Sequence, residues 1–409
     1  MTSRKLGSDA GVDRRAWART AVAEMSQRRH RCPGNGSGHC AASASRLNRR
    51  MMAGRHGVAA AQERSMGRPP SGKPTSFDIA YLAGVSQPTV SRALRGSKSV
   101  SAATRANIER IARELNYTVD KNASSLRSQR THTLALLFFE DPTPDDSMIN
   151  PFFLSMLGSI TRQCALRGYD LLISFQQMHN DWHVDYQDSH RSDGIILLGY
   201  GDYQLYREKL EHLVAMDTKF VRWGSVSEDD IGLTVGSDNI GAGEQAGAHL
   251  IEIGRRRIAF LGDASDHAPE FHDRYRGLCR AMRAAGIEPD PALQRNAVSS
   301  EASGHAAAKT LLDSGACFDA IFAASDLIAI GAMRALTEAG LTMPQDVAII
   351  GFDDIPAANL TSPTLTTVMQ DMKGAGELLV DALLRRIDGA EAERRVLPTR
   401  LVKRQSTAV

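Results

Sequence analysis

Gly241-Ala-Gly243-Glu-Gln-Ala246 fits the pattern G-x-G-x-x-A and opens a helix-like stretch, and Asp263 follows Gly243 by 20 residues. After a tight strand-to-helix turn, such glycines admit a pyrophosphate and the acidic residue holds a ribose, which is dinucleotide chemistry. Here Ser237-Asp-Asn-Ile240 separates the glycines from the strand before them, so the turn that cradles phosphate is lost. An NAD-dependent oxidoreductase is therefore a remote alternative. His30, Cys32, His39 and Cys40 are zinc-type ligands, but their spacing matches no standard finger and their surroundings are rich in glycine, so no metal is expected. Neither G-x-S-x-G nor G-x-x-x-x-G-K-[ST] occurs, which removes the usual serine-hydrolase and P-loop chemistries. The expectation is a protein that is not an enzyme and that carries no cofactor.

Charge points to a different chemistry. Residues 1–73 carry a net +11 and residues 74–130 a net +5, against −14 for residues 131–409, although the whole chain is only +2. Clustered Lys and Arg at one end suit a polyanion, with nucleic acid the first candidate. In the same region Ala80, Gly84 and Val90 have the spacing A-x3-G-x5-V, in which a small residue lets two helices cross, glycine makes the turn and valine anchors the second helix.

These residues need elements to hold them. At 409 residues, 42% hydrophobic, the chain is long enough for two or three domains with real cores. No apolar run reaches the roughly 18 residues of a membrane span and no signal-peptide core is present, so a cytoplasmic protein without a membrane partner is expected. The five cysteines are read as reduced thiols. Residues 1–73, rich in Arg, Ser, Gly and Ala and without sustained periodicity, are expected to be a disordered basic extension, with translation from Met66 as the alternative. Phe77, Ile79, Ala80 and Ala83 read as a short helix stopped by Gly84, and Ser86 as the cap of a second helix over 87–94. Ser101 caps a third, with Ile108, Ile111, Ala112 and Leu115 on one face.

From residue 131 onward, apolar runs at 134–139, 169–173, 194–198, 220–223, 258–261, 320–324 and 347–350 alternate with helical stretches such as 152–167, 243–253, 275–285 and 327–339. This alternation is the pattern of βαβ units, and about 280 residues is more than one sheet needs, which implies two lobes with a cleft between them. The fold class is a small all-α helix-turn-helix domain followed by an α/β core of two doubly wound parallel-sheet lobes.

The run from Ser76 to Gly96, SFDIAYLAGVSQPTVSRALRG, followed by Val100-Ser-Ala-Ala-Thr-Arg105 and Leu115-Asn-Tyr117, closely resembles the DNA-binding head of the LacI/GalR family of transcriptional regulators. The resemblance extends over residues 74–409. It implies a helix-turn-helix domain at 74–119, a hinge at 120–130 and an effector-binding, dimerising core at 131–409 related to periplasmic sugar-binding proteins. The first lobe is expected at about 131–235 plus 370–392, and the second at about 236–369 plus the C-terminal strand.

By the same resemblance Gln87, Pro88 and Arg92 lie where family members reach base edges, with Arg92 suited to a guanine, and Thr89 and Ser91 lie where they touch phosphates. In the hinge, Leu126 would wedge into the minor groove and Ala123 would let two hinge helices pack. In the core, Phe152 or Phe153 would either stack on a sugar or base ring or be a buried aromatic at a helix start, Arg274 would fork onto vicinal hydroxyls or a carboxylate with Arg276 as the fallback, and Asp353 would accept from two hydroxyls. Asp326 is either a ligand or a helix cap, Ser325 its neighbour; Trp223 is either a sugar platform or a core residue; Gln370 bridges to ligand at a lobe crossover.

The resemblance thus implies a cytoplasmic, nucleoid-associated homodimer that binds double-stranded operator DNA. It is read as a repressor of carbohydrate genes under control of a sugar-like effector, with a purine or other metabolite as the alternative effector.

Overall fold

The computed structural model describes residues 73–117, 130–140 and 149–408 of the chain. The basic extension, the His30–Cys40 group and the hinge residues Ala123 and Leu126 lie outside the described residues.

Three helices open the described part: α1 (Ser76–Ala83), α2 (Gln87–Leu94) and α3 (Ala102–Glu114). Thr75 and Asp78 cap α1 reciprocally, the threonine hydroxyl accepting from the Asp78 N–H and the Asp78 carboxylate from the Thr75 N–H at 2.7 Å. Gly84 ends α1 at φ +66, a left-handed turn that glycine adopts without strain. Ile79, Val90, Ala93, Ile108 and Ile111 form the small shared core. Ser101 caps α3 by accepting from the Thr104 N–H at 3.2 Å. Ser86 departs from expectation. It stands at the start of α2, but its hydroxyl pairs with that of Thr89 at 2.9 Å instead of capping a backbone N–H.

The α/β core begins with β1 (Thr133–Phe138), α4 (Pro151–Leu166), β2 (Asp170–Phe175), β3 (Gly194–Leu198), α5 (Tyr203–Ala215), β4 (Phe220–Trp223) and β5 (Thr234–Ser237). It continues with α6 (Asn239–Glu252), β6 (Ile258–Leu261), α7 (Pro269–Ala284), β7 (Gln294–Arg295), α8 (Glu301–Asp313), β8 (Ala320–Ala323), α9 (Asp326–Glu338), β9 (Ala348–Asp353) and β10 (Thr366–Gln370). It closes with α10 (Met372–Ile387), β11 (Arg395–Leu397) and β12 (Thr399–Val402).

Two six-stranded sheets result, ordered β11-β5-β4-β3-β1-β2 and β12-β10-β9-β8-β6-β7. Every pairing is parallel except β10 with β12. Parallel strands are buried on both faces, which is why they read as continuous apolar runs. Along β1, Leu134, Leu136 and Phe138 pack with Ile160 of α4 and Leu383 of α10. Ala135 and Leu137 face the opposite layer, with Leu210 and Leu213 of α5.

The chain passes between the lobes three times, after β5, after β10 and after β11. The last passage differs from the sequence reading: Arg395–Leu397 joins the first sheet beside β5, beyond the 370–392 stretch assigned to that lobe. Two helices also begin earlier than their apolar periodicity suggests. Asp238 caps α6 at Asn239 by accepting from the Gly241 N–H at 2.8 Å, and Pro269 starts α7 with a polar first turn.

Candidate functional site

Helix α2 is held against the three-helix core by Val90 and Ala93, both buried. With a period of 3.6 residues, that anchor turns Pro88, Ser91 and Arg92 to the other face and leaves Gln87, three residues before Val90, at the edge of the packed one. Pro88 and Arg92 are exposed; Gln87, Thr89 and Ser91 are half-buried. The Gln87 amide donates to the Ser76 hydroxyl at 3.2 Å, which ties the start of α2 to α1. The arrangement is a short polar helix face with a cation one turn in, able to meet phosphates and base edges in a groove.

The second cluster sits between the lobes, at carboxyl ends of strands, where open α/β sheets bind ligands. Asp353 closes β9 at φ +114, a backbone conformation unusual for any residue with a Cβ. Its Oδ1 accepts from Gln370 Nε2 at 2.7 Å and from the Tyr200 hydroxyl at 3.2 Å. Arg274 Nη2 and Gln370 Nε2 each donate to that same hydroxyl at 3.3 Å. Arg274 is fully buried; its Nε donates to Asn239 Oδ1 at 2.9 Å, its Nη1 donates to the Ala324 carbonyl, and its guanidinium lies 3.6 Å over the Phe352 ring. Arg274, Asp353 and Gln370 therefore converge on one oxygen. Arg276 points elsewhere and pairs with Asp273 at 2.9 Å.

Burial pushes the Asp353 carboxyl up to about 7, against the pull of Arg274, Gln370 and Tyr200. Asp326, wholly buried, is raised well above the usual range by burial and by Asp353. Asp326 does not cap the helix, a place Ser325 takes; its carboxylate accepts from the Ile355 N–H at 2.9 Å and from the Thr367 hydroxyl, which pins the turn that follows Asp353. Ser325 caps α9 by accepting from the Ile328 N–H at 3.3 Å. Ser325 also closes a chain of hydroxyl and amide contacts across the lobes. Asn150 Nδ2 donates to Ser299 Oγ at 2.9 Å and Ser299 donates to Ser325 Oγ at 2.9 Å.

Phe152 and Phe153 open α4 and are fully buried. Phe152 stacks on Tyr200, centroids 6.0 Å apart at 11°, and Phe153 lies 4.7 Å from the same ring. Trp223 is a core residue of the first lobe, 6.1 Å from Phe152.

Beside Tyr200 opens a cavity of about 290 Å³, with Phe139, Tyr200 and Asp202 on one wall and Asp263, Phe271 and Ser299 on the other. At its rim Asp202 meets His267 at 2.8 Å across the lobes, and the carboxylate raises the imidazole's pKa.

Sequence reading did not single out Tyr200, Asn239 or Ser299. Tyr200 sits immediately beyond β3, between Gly199 and Gly201, and a Cβ at either glycine would strike Phe139. An aromatic between two obligatory glycines at a strand's carboxyl end is the signal that could have found it. In the G-x-G-x-x-A run, Gly241 gives its N–H to the capping Asp238 and Gly243 serves helix packing. A Cβ at Gly243 would collide with the Arg274 carbonyl, and one at Gly277 with the Ile240 carbonyl, so these glycines let α6 and α7 approach closely enough to place Arg274.

Comparison with known proteins gives two family matches. Residues 77–120 match the bacterial regulatory proteins of the lacI family, and residues 248–407 match a periplasmic binding protein-like domain. The HTH-type transcriptional regulator CelR of Thermobifida fusca is 34% identical over 82% of this chain and 98% of its own length. The ribose operon repressor of Escherichia coli K12 is 32% identical over 76% of this chain and 93% of its own length. Among solved structures, a CelR–cellobiose complex has a TM-score of 0.61 at 32% identity, covering 81% of this chain and 99% of that one. The lac repressor dimer bound to operator and the anti-inducer ONPF has a TM-score of 0.71 at 25% identity, covering 83% of this chain and 100% of that one.

Proposed function

The chain belongs to the lacI family of bacterial transcriptional regulators, and we propose that it is a dimeric repressor of carbohydrate-utilisation genes whose operator affinity is set by a sugar in the interlobe cleft. The observation that carries this reading is the convergence of Arg274, Asp353 and Gln370 on a single hydroxyl between the lobes. A forked cation, a carboxylate and an amide around a hydroxyl oxygen are the donors and acceptors that sugar hydroxyls require. The aromatic faces of Phe152, Phe153 and Phe271 suit the apolar face of a sugar ring. CelR, whose solved complex holds cellobiose, and the ribose operon repressor support the same class of effector.

At the other end Gln87, Pro88 and Arg92 read bases and Thr89 and Ser91 hold phosphates, in two half-sites related by the dimer's two-fold axis. The hinge residues Ala123 and Leu126 would pack and wedge at the centre of the site. The regulator works in the cytoplasm, on the nucleoid; no helix among the described residues is long and apolar enough to cross a membrane.

Thermal unfolding of the full chain against cellobiose, glucose, ribose, adenine and guanine tests the effector class, because a ligand of the folded cleft stabilises by about 2.7 kcal/mol at a hundredfold excess over Kd. A shift with a sugar is the expected result. A shift with a purine alone replaces carbohydrate by purine as the effector.

A further inference from the structure

We infer that Tyr200 is an internal ligand of the effector site: its hydroxyl occupies the position that a ring hydroxyl of the effector takes, and the effector binds by displacing it. This rests on the cleft's being the effector site.

The phenol behaves like a bound guest. Tyr200 belongs to the first lobe, whereas the three groups that grip its hydroxyl, Asp353, Arg274 and Gln370, all belong to the second. A hydroxyl has one proton to give and two lone pairs to offer, and all three are used here: it donates to Asp353 and accepts from Arg274 and Gln370. Among the described residues, the hydrogen bonds that hold the Tyr200 hydroxyl all come from side chains of the second lobe. The ring is held by the same aromatic faces that would hold a sugar, Phe152 and Phe153 from its own lobe and Phe271, 5.4 Å away, from the other.

The plug is also built to leave. The bond it donates to Asp353 measures 3.2 Å, against an optimum near 2.7–2.8 Å for O–H···O, and the two it accepts from Arg274 and Gln370 measure 3.3 Å, against about 2.9–3.0 Å for N–H···O, so all three are long. Gly199, at φ +143, and Gly201 flank it, both packed directly on Phe139 of the cavity wall. The cavity of about 290 Å³ lies on the open side of the ring. Arg274, Asp353 and Gln370 do not line that cavity; Tyr200 stands between it and them. A sugar entering there meets the phenol first and reaches the recognition groups only by replacing it.

Two consequences follow. The effector must present a hydroxyl that donates to Asp353 while accepting from Arg274 and Gln370, a pattern that a polyol satisfies and a bare aromatic base does not. The affinity observed for the effector is reduced by whatever the phenol gains, as for any site whose competent state is a fraction of the ensemble. In the effector-free protein the same bonds strap the two lobes together.

The test compares the full-length protein with Tyr200→Phe, which keeps the stacking and removes the hydroxyl, and with Tyr200→Ala. Titration calorimetry with cellobiose, glucose and ribose is expected to show the sugar that binds the wild type binding roughly tenfold tighter to Tyr200→Phe, since one to two net hydrogen bonds no longer oppose it. Weaker or unchanged binding overturns the inference, weaker binding because it would make the hydroxyl a direct contact to the sugar. Hydrogen exchange without any sugar supplies the second readout. Loss of the strap is expected to speed exchange in residues 263–271 and 297–299, with the interior of β8 unchanged as the control for global loosening. Equal exchange in wild type and Tyr200→Phe overturns the inference. If no sugar binds either protein, the carbohydrate reading falls by itself, and the exchange result still decides whether Tyr200 straps the cleft.

Discussion

Asp353 shows how a single carboxyl links recognition to pH. It is buried, it ends a strand in a left-handed backbone conformation, and burial raises its pKa to about 7 from an ordinary 3.8. The folded state therefore holds this proton more tightly than the unfolded state, so its contribution to stability is complete below about pH 4 and is lost as pH rises to about 7. Urea midpoints measured across that window should fall with pH in the wild type, and Asp353→Asn, which cannot titrate, should flatten the fall; a slope that persists unchanged in the variant would assign it to another group. Recognition runs the opposite way. An ionised carboxylate accepts from two sugar hydroxyls more strongly than a neutral one, so sugar affinity should rise about threefold as pH passes from below to above 7. Asp353→Ala should remove the response to sugar altogether while operator binding, read by gel shift, stays within about twofold of wild type. An intact response would show that the carboxylate does not hold the ligand. At this scale the sequence was partly legible. Arg274 and Asp353 were reachable because each lies in a short run whose neighbours resemble a known family, and Gln370 because it lies where the chain crosses between lobes. Tyr200 was not, because it lies in a two-glycine loop with no periodicity, and its importance comes from a contact made across 153 residues of chain.

Elements were most legible where burial is uniform. The apolar runs at 194–198, 220–223 and 258–261 coincide with β3, β4 and β6, since a parallel strand covered on both faces carries apolar residues throughout. Strand β5 escaped notice for a steric reason: Gly236, in Thr234-Val-Gly-Ser237, lies so close to the Gly224 carbonyl that no Cβ fits, and the strand gives up its apolar character to that approach. Apolar periodicity does not reach helix starts that a cap or a proline sets: the start at Asp238 was legible through the family resemblance, and the one at Pro269 was not. The G-x-G-x-x-A run makes the same point about motifs. The glycine spacing that suggests a phosphate cradle is equally what two crossing helices need, and the structure uses it for the contact of α6 with α7. Gly243→Ala should therefore destabilise the protein by about 1–3 kcal/mol, the usual cost of overpacking a closed contact. Because the collision falls on the Arg274 carbonyl, the variant should also weaken sugar binding well beyond the effect of an equally destabilising change elsewhere. A neutral effect on both the urea midpoint and the titration would mean that the two helices have room the structure does not show.

At the scale of the whole molecule, a basic head and an acidic core with opposite net charges perform two binding reactions that share no residue. The two lobes of the core are joined by the three passages of the chain between them and by contacts such as Asp202 with His267. Arg92→Ala should abolish sequence-specific operator binding and leave sugar affinity in the isolated protein unchanged, because the arginine stands exposed on α2 and touches nothing in the cleft. The residual, non-specific binding should keep its steep salt dependence, about −0.9 per phosphate contact in log-log slope, whereas a flat response in the wild type would remove DNA as the partner. The coupling between the two reactions is constrained more tightly than either alone. If the sugar changes operator affinity by some factor, the operator must change sugar affinity by the same factor, whichever direction the change takes. Operator titrations at zero and saturating sugar, set beside sugar titrations at zero and saturating operator, should therefore close a thermodynamic cycle. In Tyr200→Phe the cycle should still close, with its sugar arms shifted together toward tighter binding. A cycle that closes in the wild type but has equal operator affinities with and without sugar would leave two independent binding sites on one chain, and the lobes would then have no part in regulation.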